Sequence, residues 1–411
     1  MLKLDRQNIF EWLWIVGCFK CGSNRIWEFV SEFPDVSAAY SAIRSPEERK
    51  KFLTETENRS ASRVSDEQIN ELISYCEKNN IYVLTFDDEI YPERLKSIYN
   101  PPAVLFCRGD IDCLANDFCL SVVGTRKPSN YSVKVTESLV KELVSFGITI
   151  ISGFAVGIDI TANLSAARNG GKTIAVLGCG LDYNYPRENF IYREEIEKNG
   201  LFISEYYPKA SGTMSSFPAR NRILSGLSLG TVVSEAAAKS GALITANLAL
   251  SQGRDIFAVA PHNLFDRRYG GNVSLIRDGA ICLCGVKDII YEYYENYGHK
   301  LSNTAKAIFV NVPEEKTEGK RKSVKPAAKT EIIPEFNAQE EEQKVQEYDA
   351  SVLDGDEAMV YNFLKKSGKP VLADELAAKF GMDISDMLML LTDLELEGAV
   401  QSSAGKNYIA N

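Results

Sequence analysis

Residues 120–127 read LSVVGTRK: a short apolar strand, a glycine, a small hydroxyl residue and two bases, with a helical pattern opening near Tyr131. A strand that passes through a glycine turn into a helix is the opening of a βαβ unit. The same grammar recurs along the chain. Apolar runs at Ile81–Thr85, Leu120–Val123, Thr149–Ile151, Thr173–Leu177, Leu201–Ile203, Gly230–Val233, Asp255–Ala258 and Ala280–Leu283 are mostly separated by helix-length segments. Strands that are apolar on both faces, alternating with helices, predict a parallel sheet covered on both sides. Three more glycine turns follow strands or open helices: SGFAVGID at 152–159, LGCGLD at 177–182 and SGALIT at 240–245. In an open parallel sheet such turns converge at the carboxyl edge, where exposed amides and helix N-termini favour anions.

The flanks have different patterns. Residues 1–80 read as helical, with Ile9, Leu13 and Val16 on one face and Ile26, Trp27, Phe29 and Val30 on the next. The turn GCFKCG at 17–22 joins them in the shape of a helix-hairpin-helix, whose glycines can admit a phosphate. It lacks a clean basic cluster, so we read it as a helical hairpin packed on the core. Residues 299–350 form a linker: from 303 onward Pro, Lys, Glu, Gln and Ala dominate, with Lys320-Arg321-Lys322 followed by Glu340-Glu341-Glu342. Limited proteolysis should cut within 303–350 and leave a core ending near Gly298 plus a separate C-terminal fragment. A linker that outlasts the core would overturn this map.

Residues 351–411 recover periodicity. Ala358, Val360 and Leu364 mark one helix, Leu372, Leu376 and Phe380 a second, and Ile384, Leu388, Leu391 and Leu394 a third. Val400 and Tyr408-Ile409 then form a two-stranded wing around Ala404-Gly405. Three helices and a hairpin make a winged helix. In duplex readers the third helix enters the major groove. Here that helix, Ser385 to Glu397, carries Asp386, Asp393, Glu395 and Glu397 and no Lys or Arg. We read the domain as a protein-interaction or dimer element. The expected architecture is thus α/β: a helical domain over 1–80, a parallel-sheet core over 81–298, a linker over 299–350 and a winged-helix domain over 351–411.

The 411 residues carry a net charge of −10, which taken globally disfavours nucleic acid. From Asp117 to Gly298, however, 18 Lys and Arg face 17 Asp and Glu, so the core permits a local basic cleft. No apolar run reaches the roughly 18 residues of a membrane span. Met1 to Phe10 lacks a signal-peptide pattern, so a cytoplasmic protein without a membrane partner is expected. Nine cysteines are scattered, with Cys18 and Cys21 as the one CxxC pair, and the two histidines are His262 and His299. That set is too sparse for a structural zinc site, so no metal is expected. There is no GxxxxGK[ST] loop and no complete dinucleotide fingerprint, so no cofactor is expected either. No histidine stands near a nucleophile. Asp159 and Asp182 lie beside glycine turns, where carboxylates cap amides. A non-enzymatic protein is expected.

The sharpest local signal is FPARNRI at 217–223. Arg220 and Arg222 flank Asn221 at a helix start, and Phe217 precedes them. A guanidinium binds phosphate through a planar fork, and an aromatic ring can stack on a base. One arginine is expected to pair with Glu205 or Glu235 and the other to face the ligand.

Taken in order, VVGTRK (122–127), SGFAVGID (152–159), KTIAVLGCGLDYNYPREN (172–189), ISEY (203–206), FPARNRILSGLS (217–228), SEAAAKSGALITANLA (234–249), GRDIFAVAP (253–261) and GGNVSLIRDGA (270–280) resemble the DprA/Smf family across roughly 100–290. The resemblance implies a Rossmann-like core, a SAM-like or helix-hairpin-helix domain in front and a winged helix behind. It implies a homodimer that binds and protects incoming single-stranded DNA. Such proteins load RecA recombinase onto the strand and displace single-strand binding protein during natural transformation and recombination, with no catalytic step. By motif position it assigns strand or phosphate contact to Arg126, Ser152, Gly153, Arg220, Asn221 and Arg222, and base stacking to Phe217. Three departures stand out: Val156 replaces a usual Arg, Asn163 replaces a usual His, and the Ala260–Asn263 loop is one residue longer. The alternative is a nucleoside-monophosphate phosphoribohydrolase on a related core. Such enzymes need a PGGxGTxxE-like loop; Leu227–Glu235 here keeps Gly230, Thr231 and Glu235 but no glycine pair.

Overall fold

The computed structural model describes residues 5–19, 21–299, 355–382, 387, 390, 391, 394, 399–403 and 407–410. The expected linker beyond residue 299, most of the acidic third helix with Asp386, Asp393, Glu395 and Glu397, and the wing turn Ala404-Gly405 lie outside the described residues. The chain falls into two units, Met1–Thr317 and Glu318–Asn411.

The apolar runs of the first unit assemble into one nine-stranded sheet. Its strands are β1 (Tyr82–Thr85), β2 (Val104–Gly109), β3 (Cys119–Val123), β4 (Thr149–Ser152), β5 (Thr173–Leu177), β6 (Gly200–Ser204), β7 (Gly230–Val233), β8 (Asp255–Val259) and β9 (Ile281–Leu283). They lie in the order β1-β2-β6-β5-β4-β3-β7-β8-β9. From β6 to β9 every neighbour is parallel, with Val122 level with Val232 and Ile174 level with Leu201. β2 was not expected from sequence. It returns antiparallel against β6 and carries β1 antiparallel on its outer edge.

Strands β3 to β7 are buried along their whole length because helices cover both faces. On one face Val140 and Leu143 from helix Asn130–Ser145, Ala162 from helix Ile158–Arg168 and Ile289 from helix Val286–Tyr297 pack on Ile150, Val232 and Phe257. On the other, Ile223 and Leu224 from helix Ser216–Leu227, with Ala246 and Ala249 from helix Ala242–Ser251, pack on Val123, Ile151 and Val233. Each such Leu or Ile removed from water contributes about 1.5–3 kcal/mol. Together they make the sheet a rigid platform for its loops. The arrangement is a Rossmann-like core.

The N-terminal helices have their own start signals. Asp5 accepts from the amides of Gln7 and Asn8 at the head of helix Arg6–Cys18, and Thr54 with Glu57 and Ser65 with Gln68 form capping boxes. They share a core with the sheet: Trp12, Leu13, Phe29 and Ile73 belong to the apolar cluster that contains Phe106 and Phe202. Polar contacts secure the seam. Trp12 Nε1 donates to Asp87 at 2.7 Å, Trp27 Nε1 to the Pro101 carbonyl at 2.7 Å, and Asn100 Nδ2 to the Gly22 carbonyl at 2.6 Å.

The second unit contains helices Gly355–Ser367 and Ala373–Phe380 and the strands β10 (Val371–Leu372), β11 (Val400–Ser403) and β12 (Asn407–Ala410). β12 is central, with β10 and β11 antiparallel on either side, so the wing gains a third strand beyond the expected hairpin. Val360, Leu364, Leu376, Leu391, Leu394 and Tyr408 form its core.

Candidate nucleic-acid interface

After β3 the chain turns toward β4, β5 and β6 on one side and later to β7, β8 and β9 on the other. The order in which strands are added therefore reverses between the parallel neighbours β3 and β7, the place where open α/β sheets leave a crevice at their carboxyl ends. A cleft of roughly 630 Å³ lies there. Its walls come from the Gly124-Thr125-Arg126 turn, Ala155 and Asp159 after β4, Tyr185, the Phe217–Asn221 segment, and Ser240-Gly241-Ala242 at the head of helix Ala242–Ser251. Three of the four expected glycine turns line this cleft, and the turn at Gly178 lines the smaller pocket beside it.

Arg126 is exposed on the cleft wall and makes no hydrogen bond or ion pair among the described residues. Its backbone is fixed from below. Gly157 has φ +93°, and a Cβ there would collide with the Thr125 carbonyl and lie 2.7 Å from Arg126 Cα. Only glycine allows the β4 loop to lie so close under the Arg126 turn.

Arg220 is turned inward. It is 5% exposed and donates to the carbonyls of Gly153, at 2.7 Å, and Val176. Asp159 faces it across Gly153, where any Cβ would meet both the carboxylate and the guanidinium. Burial pushes Asp159 up to about 6, against the pull of Arg220, the Gly153 and Ala155 amides and Arg126. Arg220 thus forms the positively charged floor of the cleft. Arg222 points elsewhere: it donates to Glu205 at 2.7 Å and to the Asn100 carbonyl at 2.9 Å. It takes the expected pairing with Glu205 and does not line the cleft. Ser152 is also internal, donating to the Val122 carbonyl at 2.6 Å. Asn221 is half-buried on the cleft wall.

Phe217 is half-buried, and its ring centroid lies 4.9 Å from that of Tyr185. Tyr185 is 38% exposed, so the pair presents an aromatic surface to the cleft. Tyr185 was not singled out from sequence; the signal was the aromatic cluster just beyond the Gly178–Gly180 turn. Met214, also on the wall, is 95% exposed.

The remaining candidates stand apart. Asp182 accepts from Arg108 at 2.6 Å and from Tyr75 at 2.9 Å, tying the N-terminal helices to the sheet rather than capping amides. Asn163 is buried and donates to Thr173 Oγ1 at 2.8 Å. Val156 is 38% exposed beside the cleft floor. Glu235, the carboxylate a phosphoribohydrolase would need, is buried and does not line the cleft. It accepts from the Ser129 amide and hydroxyl at 2.9 and 2.6 Å and from Tyr269 at 3.2 Å. Burial raises its carboxyl, but these bonds hold it below the ordinary range.

A Rossmann-like sheet with a cationic, aromatic-walled cleft at its switch point defines an α/β protein whose cleft has the chemistry to accept a phosphate-bearing ligand. Residues 82–294 match the family model of DNA recombination-mediator protein A, and residues 346–406 match the DprA winged helix domain. The chain belongs to the DprA/Smf family of DNA-processing proteins. It is 42% identical over 224 residues to DNA processing protein DprA of Bacillus subtilis, covering 54% of this chain and 75% of that protein. To the DprA of Streptococcus pneumoniae it is 40% identical over 206 residues, covering 50% and 72%. The X-ray structure of DNA processing protein A from Streptococcus pneumoniae superposes with a TM-score of 0.62 at 31% identity, covering 69% of this chain and 97% of that one.

Proposed function

We propose that this protein binds single-stranded DNA in the carboxyl-edge cleft and delivers the strand to RecA, displacing single-strand binding protein during transformation and recombination. It acts as a homodimer and without a chemical step of its own. The observation that carries the reading is Arg126: an exposed guanidinium that forms no direct ion pair or hydrogen bond among the described residues, held on a rigid glycine-backed turn beside the Phe217–Tyr185 pair. In this reading Arg126 and Asn221 contact the strand, and Arg220 supplies charge from the floor. Ser152, Gly153 and Arg222 shape the surface from behind. The aromatic wall suits unstacked bases, which single strands offer and a closed duplex does not.

The test is fluorescence anisotropy with single-strand and duplex oligonucleotides at two salt concentrations. Single strands should bind more tightly, and affinity should fall with salt because each phosphate contact releases about 0.7 counterion. Arg126→Ala should weaken all sequences alike and flatten the salt slope by roughly one contact. Phe217→Ala should cost about 1–3 kcal/mol with the slope unchanged. If both variants stay folded and bind like the wild type, the cleft is not the DNA site. Release of free base from AMP would favour the phosphoribohydrolase reading instead.

A further inference from the structure

Asp159 is the one carboxylate among the described residues that line the cleft, and placing an acid beside a phosphate site is unfavourable unless something compensates. It stands in the first turn of helix Ile158–Arg168. The groups that face it are few. Arg220 comes from helix Ser216–Leu227, Arg126 from the turn after β3, and the Gly153 and Ala155 amides from the loop after β4. Behind Arg220 lie Cys179 and Tyr206, whose protons burial holds in place, up to about 11 and about 12. Asp159 is therefore the group near the floor that can change charge around neutral pH.

A phosphate entering the cleft would use the same two guanidiniums that now balance the Asp159 carboxylate. Two anions sharing them disfavour each other. The strand cannot shed its charge, and the carboxylate can. We propose that Asp159 takes up a proton from solvent when a strand phosphate occupies the cleft, so that single-strand binding is proton-linked. The inference rests on the cleft being the strand site. No bond to the ligand forms: the carboxylate becomes a carboxyl group, and Arg220 and Arg126 turn their charge to the phosphate.

The experiment uses the full chain and a thymidine oligonucleotide, whose bases do not titrate near neutrality, at fixed ionic strength. Affinity should weaken as pH rises from about 6 to 8, by up to about tenfold per pH unit. Calorimetry in buffers of different ionisation enthalpy should show proton uptake approaching one per site. Asp159→Asn should bind with no pH slope and no uptake. The protein has two histidines, so a His262→Gln, His299→Gln double variant should keep the uptake. This comparison decides the matter even where Asp159→Asn fails to fold. Binding without uptake in the wild type, or uptake that disappears with the histidines, overturns the proposal and leaves the cleft reading standing. A chain that binds no oligonucleotide at all removes both.

Discussion

Replacing Arg220 by leucine is expected to cost about 3–5 kcal/mol of folding stability, the usual penalty for stripping one member from a buried charged cluster. The substitution leaves the Gly153 and Val176 carbonyls without their donor and Asp159 without the largest influence that favours its ionised form. The cost should depend on pH. Asp159 already sits above its ordinary value, at about 6. A carboxyl raised on folding binds its proton more tightly in the native state. Its contribution is therefore fully present below the unfolded value and is lost as pH rises through the folded one. Without Arg220 the folded value climbs further, so the deficit of the variant should be larger at pH 8 than at pH 5.5. Urea denaturation at the two pH values measures this. Combining Arg220→Leu with Asp159→Asn should recover part of the loss, because the two sites are coupled. A variant with wild-type stability at pH 8 would show that Arg220 is not part of the structural floor.

Gly157→Ala should be almost as damaging, and for a purely steric reason. The residue has φ +93°, which alanine adopts only with strain, and its new methyl group would strike the Thr125 carbonyl. Backbone strain of about 1–3 kcal/mol adds to a similar overpacking cost. The chain can relieve the clash by lifting the Thr125-Arg126 turn. The expected result is a Tm lowered by several degrees together with weaker single-strand binding, even though the substituted residue makes no proposed contact with DNA. A Gly157→Ala protein with unchanged Tm and unchanged affinity would show that the turn is not fixed from below.

The parallel part of the sheet was legible because burial on both faces leaves continuous apolar runs, and the cleft was legible because glycine turns mark the carboxyl ends of those runs. β2 was not. Val104–Cys107 is as apolar as its neighbours, but it follows Pro101-Pro102, and its antiparallel pairing with β6 joins segments almost a hundred residues apart. Local pattern carries no such pairing. Side-chain direction was equally hidden. Arg220 and Arg222 lie two residues apart on one helix, which separates them by more than half a turn, so they serve different surfaces. Ser152 ends a strand whose alternation sends its hydroxyl inward to Val122. Tyr185 reaches the cleft through the path of a loop, which periodicity does not describe.

The seam between the front helices and the sheet bears on how this protein can change over time. Trp12 and Phe29 share their core with Phe106 and Phe202, while Asn100 holds the Gly22 carbonyl and accepts from Arg222. The first eighty residues are therefore not a cassette that a lineage can trade freely. A chimaera joined at residue 80 would inherit mismatched halves of one interior, with the Trp12–Asp87 and Trp27–Pro101 bonds split between them. Exchange between relatives is better tolerated after helix Val286–Tyr297, where the first core is complete, and this predicts that the front helices and the sheet descend together while the winged helix is free to be lost or replaced.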